Sequence, residues 1–324
     1  MLISLDETFC SHGHGEHFPV MLEASIACLN TNGGGLFLDG TFGGGGHSRA
    51  LLESSSDVCV VAVDQDPDAE KRAAVLKDQY GDRFLFYPMN FSNIGQIKEK
   101  NFQGALFDFG LSSFQLNQGE RGFSFRFDGP LDMRMNNTEG ITAHEFLESV
   151  DEMELVRAIR DFGEEPSWRR VVEAILKARG SGRLSRTKSF AQLVESAIPK
   201  RGFQRNRIHP ATRSFQGVRI AINRELEAIE LGLKEAFKYL KVGGVMVAIS
   251  FHSLEDRIVK RFFRQLSGRP EHKKDRRFQE ERNVLAKMTS AKAIKASNEE
   301  ISVNPKSRSA RMRSLVKLFE GEIS

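Results

Sequence analysis

The chain of 324 residues is predicted to form a doubly wound α/β sheet interrupted by a helical insertion. Three observations lead there. Short apolar runs end in carboxylates at Asp39, Asp64 and Asp108, each followed by a loop and a helical pattern. One run, Val58–Val63 (VCVVAV), is apolar without alternation, as expected of a strand buried on both faces of a parallel sheet. Beyond Leu111 the alternation of strand and helix stops, and it resumes only at Val245.

The elements follow in order. His12–His17 (HGHGEH) holds three histidines without cysteine partners, a composition that reads as unstructured rather than as a metal site. Val20–Leu29 has helical spacing and is expected to pack beside the first strand. That strand, Leu36–Leu38, ends in Asp39, and Gly40 and Gly43–Gly46 follow before His47 and Ser48 open a helix. Glycines permit positive φ and close approach of a ligand to the main chain, and the helix N-terminus offers unpaired N–H groups. The competing reading is a glycine loop without a ligand. A phosphate-cradling P-loop would need Gly-Lys-Ser/Thr, whereas the chain has Gly46-His47-Ser48. The dinucleotide fingerprint G-x-G-x-x-G/A fails as well, because from Gly43 or Gly44 its last position falls on Ser48 or Arg49. A ligand without pyrophosphate is favoured, and S-adenosylmethionine is one.

Asp64, at the end of the second strand, is placed to accept from a ribose hydroxyl pair, while Asp66 caps the helix that Pro67 begins. Pro67–Gln79 reads as helix, Phe84–Tyr87 as strand, Ile94–Lys100 as a short helix and Ala105–Phe107 as the fourth strand. Ligands of such sheets lie beyond the carboxyl ends of the strands, where Asp39, Asp64 and Asp108 all stand. Leu111–Gly140 is loop-like, and helical patterns cover Glu152–Phe162, Trp168–Ala178 and Phe190–Ile198 with no strand between them. The expected organisation is residues 1–114 for the first part of the sheet domain, 115–207 for the insertion and 208–324 for the second part. A long helical pattern reaches Leu240, Lys241–Gly244 turns, and Val245–Ser250 is the fifth strand. Ser253 and Asp256 form a helix-capping pattern, Gly268–Ser302 is weakly patterned and expected to be mobile, and Leu315–Phe319 reads as a final edge strand.

Composition narrows the classes. Apolar residues make up 40% and charged residues 28%, ordinary for a chain with a real core. No apolar run is long enough to span a bilayer, no secretory leader is recognisable, and Cys10, Cys28 and Cys59 form no CxxC pair. A cytoplasmic location is expected. Residues 200–324 carry 28 basic and 14 acidic side chains, against 19 and 29 in residues 1–199, which suggests a polyanionic partner such as RNA. Arg201, Arg205, Arg207, Arg213 and Arg219, with the arginines of Arg121–Arg134, are the candidate phosphate contacts. Phe123, Phe125 and Phe127 read as packing residues.

Eight segments together resemble the bacterial 16S rRNA (cytosine-N4)-methyltransferases, the MraW or RsmH family. They are HFPVML at His17–Leu22, DGTFGGGGHS at Asp39–Ser48, VDQDP at Val63–Pro67, DFGLSS at Asp108–Ser113, ERGFSFRFDGPLDMRM at Glu120–Met135, RIHPATRSFQGVRIAIN at Arg207–Asn223, ISFHSLEDRIVKRFF at Ile249–Phe263 and SARMR at Ser309–Arg313. The resemblance implies a class I S-adenosylmethionine-dependent methyltransferase with an inserted helical domain. It implies as substrate a cytidine of small-subunit ribosomal RNA in the decoding P site, methylated on N4. Cofactor contacts carried over by motif fall on Gly45, Gly46, His47, Asp64, Phe91, Asp108 and Gln115. The chain departs from the usual family pattern at Gly44, Phe114 and Asn117.

Cytosine N4 is a weak nucleophile, so transfer needs in-line alignment and an acceptor for the amine's hydrogen bonds. Asp108 suits that task, with Ser112 and Ser113 orienting the base; equally, Asp108 could hold the cofactor's amino-acid end. Two other classes remain: a nicotinamide-dependent oxidoreductase, disfavoured by the failed fingerprint, and a non-catalytic ribosome-assembly factor. Oligomeric state is left open.

Overall fold

The computed structural model describes residues 19–199, 209–272 and 274–323. Cys10, the His12–His17 tract, Arg201, Arg205 and Arg207 lie outside these residues.

The first half of the sheet domain alternates as expected. Helix α1 (Leu22–Leu29) leads into β1 (Gly35–Asp39), α2 (Gly46–Ser54), β2 (Val58–Asp64), α3 (Pro67–Tyr80), β3 (Phe84–Pro88) and β4 (Phe102–Asp108). Asp66 accepts the Asp68 N–H at 3.1 Å and Pro67 opens α3, so cap and proline act together at its start. The short helix expected at Ile94–Lys100 is instead a 3₁₀ turn over Phe91–Gln96. Asn90 draws it upstream by accepting the Ser92 N–H at 2.8 Å, and the chain is already extended at Ile97.

The insertion comprises α4 (Ser113–Asn117), α5 (Ala143–Ser149), α6 (Glu152–Val156), a π-helical turn over Arg157–Phe162, α7 (Trp168–Ala178) and α8 (Thr187–Ala197). Its apolar core joins Leu147, Leu155, Ile159, Val171, Ile175 and Phe190. Helix α9 (Ala211–Asn223) adds Ala211, Phe215 and Val218, so the insertion's packing continues past residue 207. Phe123 is buried in this core and Phe125 packs edge-on against Phe215, but Phe127 is 52% exposed and is no packing residue.

The chain then returns through α10 (Glu225–Lys238), β5 (Leu240–Ser250), α11 (Ser253–Leu266), β6 (Ala286–Met288), β7 (Ile294–Lys295), α12 (Asn298–Val303) and β8 (Arg311–Lys317). The single long helix expected up to Leu240 is two, because Arg224 turns left-handed at φ 50° between α9 and α10. Residues 241–244 interrupt the pairing of β5 with β4 within one strand. Helix α11 is capped by His252 and Glu255 rather than by Ser253 and Asp256, and Asp256 is instead turned to Arg313 at 2.8 Å. The segment expected to be mobile carries β6, β7 and α12 among its described residues. Strand β8 is not an edge, since it lies between β5 and β6.

The sheet order is β3-β2-β1-β4-β5-β8-β6, with β7 also on β8. Pairing is parallel from β3 to β5 and antiparallel around β8. Period-two alternation divides the strands between two cores. Val61, Val63, Ala105 and Phe107 face α10 and α11, while Val60, Ala62 and Leu106 face the side of α1–α3. Helix α1 crosses β4 and β5 rather than lying along β1, and a Cβ at Gly104 of β4 would stand 2.8 Å from Leu29. The order in which strands are added reverses between β1 and β4, the switch point where sheets of this kind open a crevice.

A candidate active site at the carboxyl edge of the sheet

The three strand-end carboxylates stand on adjacent strands. Asp39 is in register with Ala62 of β2 and Leu106 of β4, which puts Asp64 and Asp108 on either side of it. Asp39 is buried, accepting the Ser48 hydroxyl at 2.6 Å and the Thr41 N–H at 3.1 Å. Burial, with Asp64 adding repulsion, pushes its carboxyl up to about 6. Asp64 accepts the Gly43 N–H at 2.7 Å on one oxygen and the Asp66 N–H at 2.9 Å on the other. Burial still holds its pKa above the ordinary carboxylate value. An ionised carboxylate has about four acceptor positions, so Asp64 retains capacity for two hydroxyls.

Asp108 is the most perturbed of the three. Its main-chain N–H donates to Thr41 Oγ1 at 2.6 Å, which locks the strand end beside the glycine loop. Burial, then Asp39, then Glu255 drive its pKa well above the usual range. Its Oδ1 is buried without a hydrogen-bond partner among the described residues. Buried polar atoms are nearly always satisfied, so this oxygen marks a place where a donor belongs. His47 Nδ1 lies 3.9 Å from Asp108 Oδ2, but this is no ion pair at neutral pH. Burial lowers the imidazole to about 4, and its Nε2 sits 3.2 Å from the Val20 carbonyl, the pairing expected of a neutral ring protonated on Nε2.

In the glycine loop, Gly43 has φ 51° and Gly45, at the start of α2, φ 80°. Part of the loop's compactness serves the protein itself: a Cβ at Gly46 would stand 2.2 Å from Pro19 and one at Gly44 2.9 Å from Phe114. Gly43 differs, its nearest neighbour on that side being Ser112 Cβ at 3.6 Å, so the side facing α4 has room. Phe91 is half-buried against Phe107 and Phe109, with ring centroids 5.9 and 5.8 Å away.

Ser112 and Gln115 form a reciprocal cap on α4: Ser112 N–H donates to Gln115 Oε1 at 3.1 Å, and Gln115 N–H to Ser112 Oγ at 3.2 Å. The Gln115 amide also donates to Asp66 Oδ2 at 2.8 Å, so this side chain is engaged at both ends. Ser113 is buried and its hydroxyl accepts from Lys306 on the far side of the chain.

Two of the arginines expected to face phosphate are turned inward to carboxylates instead, Arg121 buried and Arg219 half-buried. Arg121 is 5% exposed and pairs with Asp66, and Arg219 grips Glu225 through both nitrogens at 2.8 and 2.9 Å. Arg134 is held by Asp132. No local spacing could have revealed the first pair, whose partners are 55 positions apart. Next to Asp108 lies another unforeseen group. Glu255 accepts the Phe251 and His252 N–H groups on one oxygen, while its other oxygen stands 3.0 Å from His252 Nε2. Glu225, His252 and Glu255 could jointly ligate a cation, but Arg219 already neutralises Glu225. His252 Nδ1 faces the Glu255 N–H at 3.4 Å, which leaves the ring proton on Nε2.

The chain matches the family model described as the MraW methylase family over residues 14–318. It is 42% identical over 308 residues to the ribosomal RNA small subunit methyltransferase H of Rickettsia felis, covering 94% of this chain and 99% of that one. Identity to the Rickettsia massiliae protein of the same name is 41% over 309 residues, with the same coverage. A solved rRNA methylase from Streptococcus thermophilus aligns over 88% of both chains at a TM-score of 0.38 and 9% identity, a likeness too weak to argue from.

Proposed function

Because the chain belongs to the MraW methylase family, we propose that it transfers a methyl group from S-adenosylmethionine to the exocyclic N4 amine of a cytidine in the ribosomal RNA of the small subunit. The observation that carries this reading is the unpartnered Oδ1 of Asp108, buried at the switch point beside two further carboxylates. S-adenosylmethionine, when bound, supplies a methyl group made electrophilic by a positively charged sulfur.

The residues present suit that cofactor. The carboxylates of Asp39, Asp64 and Asp108 at adjacent strand ends favour a cationic group, and at the glycine loop Arg72 donates to the Gly43 carbonyl at 2.8 Å. Asp64 would take the ribose hydroxyls, Phe91 would border the adenine, and Gly45, Gly46 and His47 would line the loop side. Gln115 would act through Asp66 and Ser112, to which it is bonded.

Asp108 Oδ1 would accept an N–H of the cytosine amine and hold its lone pair toward the methyl donor. A cation in the pocket lowers a neighbouring carboxyl's pKa, so Asp108 becomes a better acceptor when the cofactor is present. The alternative, in which Asp108 holds the cofactor's amino group, uses the same oxygen. The target base must leave its stack to reach the pocket. Basic residues beyond position 200 would hold the flanking phosphates, with Arg121 and Arg219 no longer among them. No helix among the described residues is long and apolar enough to cross a membrane, and the proposed substrate places the work in the cytoplasm.

The test is transfer of labelled methyl from S-adenosylmethionine to unmethylated small ribosomal subunits, with free rRNA and bulk protein alongside. Label is expected in subunit rRNA. Cofactor binding without any transfer would turn the reading toward an assembly factor.

A further inference from the structure

The geometry points to Arg121 as a positioning residue that sets the segment 108–117 and the insertion in register with the cofactor's ribose site; this rests on the methyl-transfer reading above. Arg121 Nη1 donates to both oxygens of Asp66, at 3.1 and 3.0 Å, with both side chains almost fully buried. The partners of Asp66 lead in two directions. Its N–H donates to Asp64 Oδ1 at 2.9 Å, and its Oδ2 accepts the Gln115 amide at 2.8 Å. Gln115 in turn receives the Ser112 N–H, so the ribose carboxylate and the start of α4 are joined through one buried carboxylate.

Arg121 extends the connection into the insertion. Its Nη2 donates to the carbonyls of Arg134 and Met135 at 3.1 and 2.8 Å. Asn223, at the end of α9, completes the link: its Oδ1 accepts the Met135 N–H and its Nδ2 donates to the Met133 carbonyl, each at 2.8 Å. One planar guanidinium therefore touches the β2 end, the loop 121–135 and, through that loop, α9. A lysine could not do this, because a point charge on a flexible stem lacks the fork that meets two targets in fixed directions.

An ordinary structural ion pair would require only Asp66 and Arg121. Here Asp66 Oδ2 also holds the Gln115 amide, its Oδ1 also caps α3 by accepting the Asp68 N–H, and Arg121 Nη2 reaches two carbonyls of the loop 121–135, while Arg121 Nε is left buried and unbonded. That is the pattern of a group kept for its geometry at the expense of complete satisfaction.

The role is separable from stability. Arg121→Met alone leaves a buried, unpaired Asp66 and is expected to destabilise the fold strongly. The double variant Asp66→Asn with Arg121→Met removes both charges, and such replacement of a buried pair is often tolerated. For the double variant we expect near wild-type melting, S-adenosylmethionine affinity within a few-fold by calorimetry, and single-turnover methyl transfer to small subunits slower by on the order of a hundredfold, the effect of ångström-scale misplacement. Arg121→Lys, which keeps the charge opposite Asp66 and gives up the carbonyls, should show the same split in milder form. Wild-type melting together with wild-type transfer by the double variant would overturn the inference. Should the double variant not fold, full-rate transfer by Arg121→Lys would overturn it. No transfer by the wild-type chain would instead remove the reading on which it rests.

Discussion

Replacing Asp39 by asparagine should stabilise the protein near neutral pH and leave it unchanged in acid. Asp39 is 1% exposed, and burial together with Asp64 raises its carboxyl from 3.8 to about 6. A raised carboxyl pKa means that the folded state binds the proton more tightly than the unfolded chain does. Its favourable effect is therefore complete below 3.8 and is lost as pH climbs through about 6, after which the folded state carries a buried charge. At 1.36 kcal/mol for each pKa unit, that charge costs about 3 kcal/mol at pH 7.5. Asparagine removes it and keeps an oxygen for the Thr41 N–H, while the Ser48 hydroxyl can rotate to accept from the new amide. Urea melts of both proteins at steps between pH 4 and pH 8 should give curves that coincide in acid and diverge to about 3 kcal/mol above pH 7. A variant less stable than wild type at pH 7.5, or a difference independent of pH, would refute the claim that burial raises the Asp39 carboxyl. Such a penalty is what a site kept ready for a cationic ligand would carry.

Asp108→Asn should retain S-adenosylmethionine affinity within a few-fold and lose turnover by on the order of a hundredfold or more, as when a transition-state acceptor is removed; equal losses in both would assign Asp108 to the cofactor alone. His47, lowered to about 4 by burial, should show no imidazole titration by NMR between pH 5 and 8. Because its folded pKa lies below 6.5, its contribution to stability is present above that pH and declines as pH falls toward 4, and a titration midpoint near 6.5 would contradict the buried placement. Replacing Arg205 and Arg207 together should weaken RNA binding and flatten its dependence on log salt by roughly one and a half to two, one phosphate for each arginine. An unchanged slope would remove them from the phosphate contacts.

Much of the sheet domain could be read from the chain because its signals are local. Val58–Val63 and the strand-end carboxylates announce parallel strands whatever lies elsewhere, and Pro67 after Asp66 starts a helix by its own chemistry. The misreadings share a different cause. Arg224 adopts a left-handed turn that its side chain does not advertise, so α9 and α10 look like one helix. The strand β8 is interior because β6, a three-residue strand with no clear periodicity, pairs with it across 27 to 31 positions. Charged residues gave the greatest difficulty. Arg121 and Arg219 read as surface contacts for RNA, yet each is paired with a carboxylate, Arg121 buried and Arg219 half-buried. Composition reports charge, and only the fold reports whether that charge has been neutralised. The same holds for Gln115, whose partner Asp66 lies 49 positions away.

The most direct measurement is to let the wild-type chain methylate unmodified small ribosomal subunits with labelled S-adenosylmethionine, then digest the rRNA to nucleosides and identify the labelled one. Label in N4-methylcytidine is the expected result. Label in a ring-methylated cytidine, in another nucleoside or only in protein would contradict a site in which Asp108 Oδ1 receives the exocyclic amine.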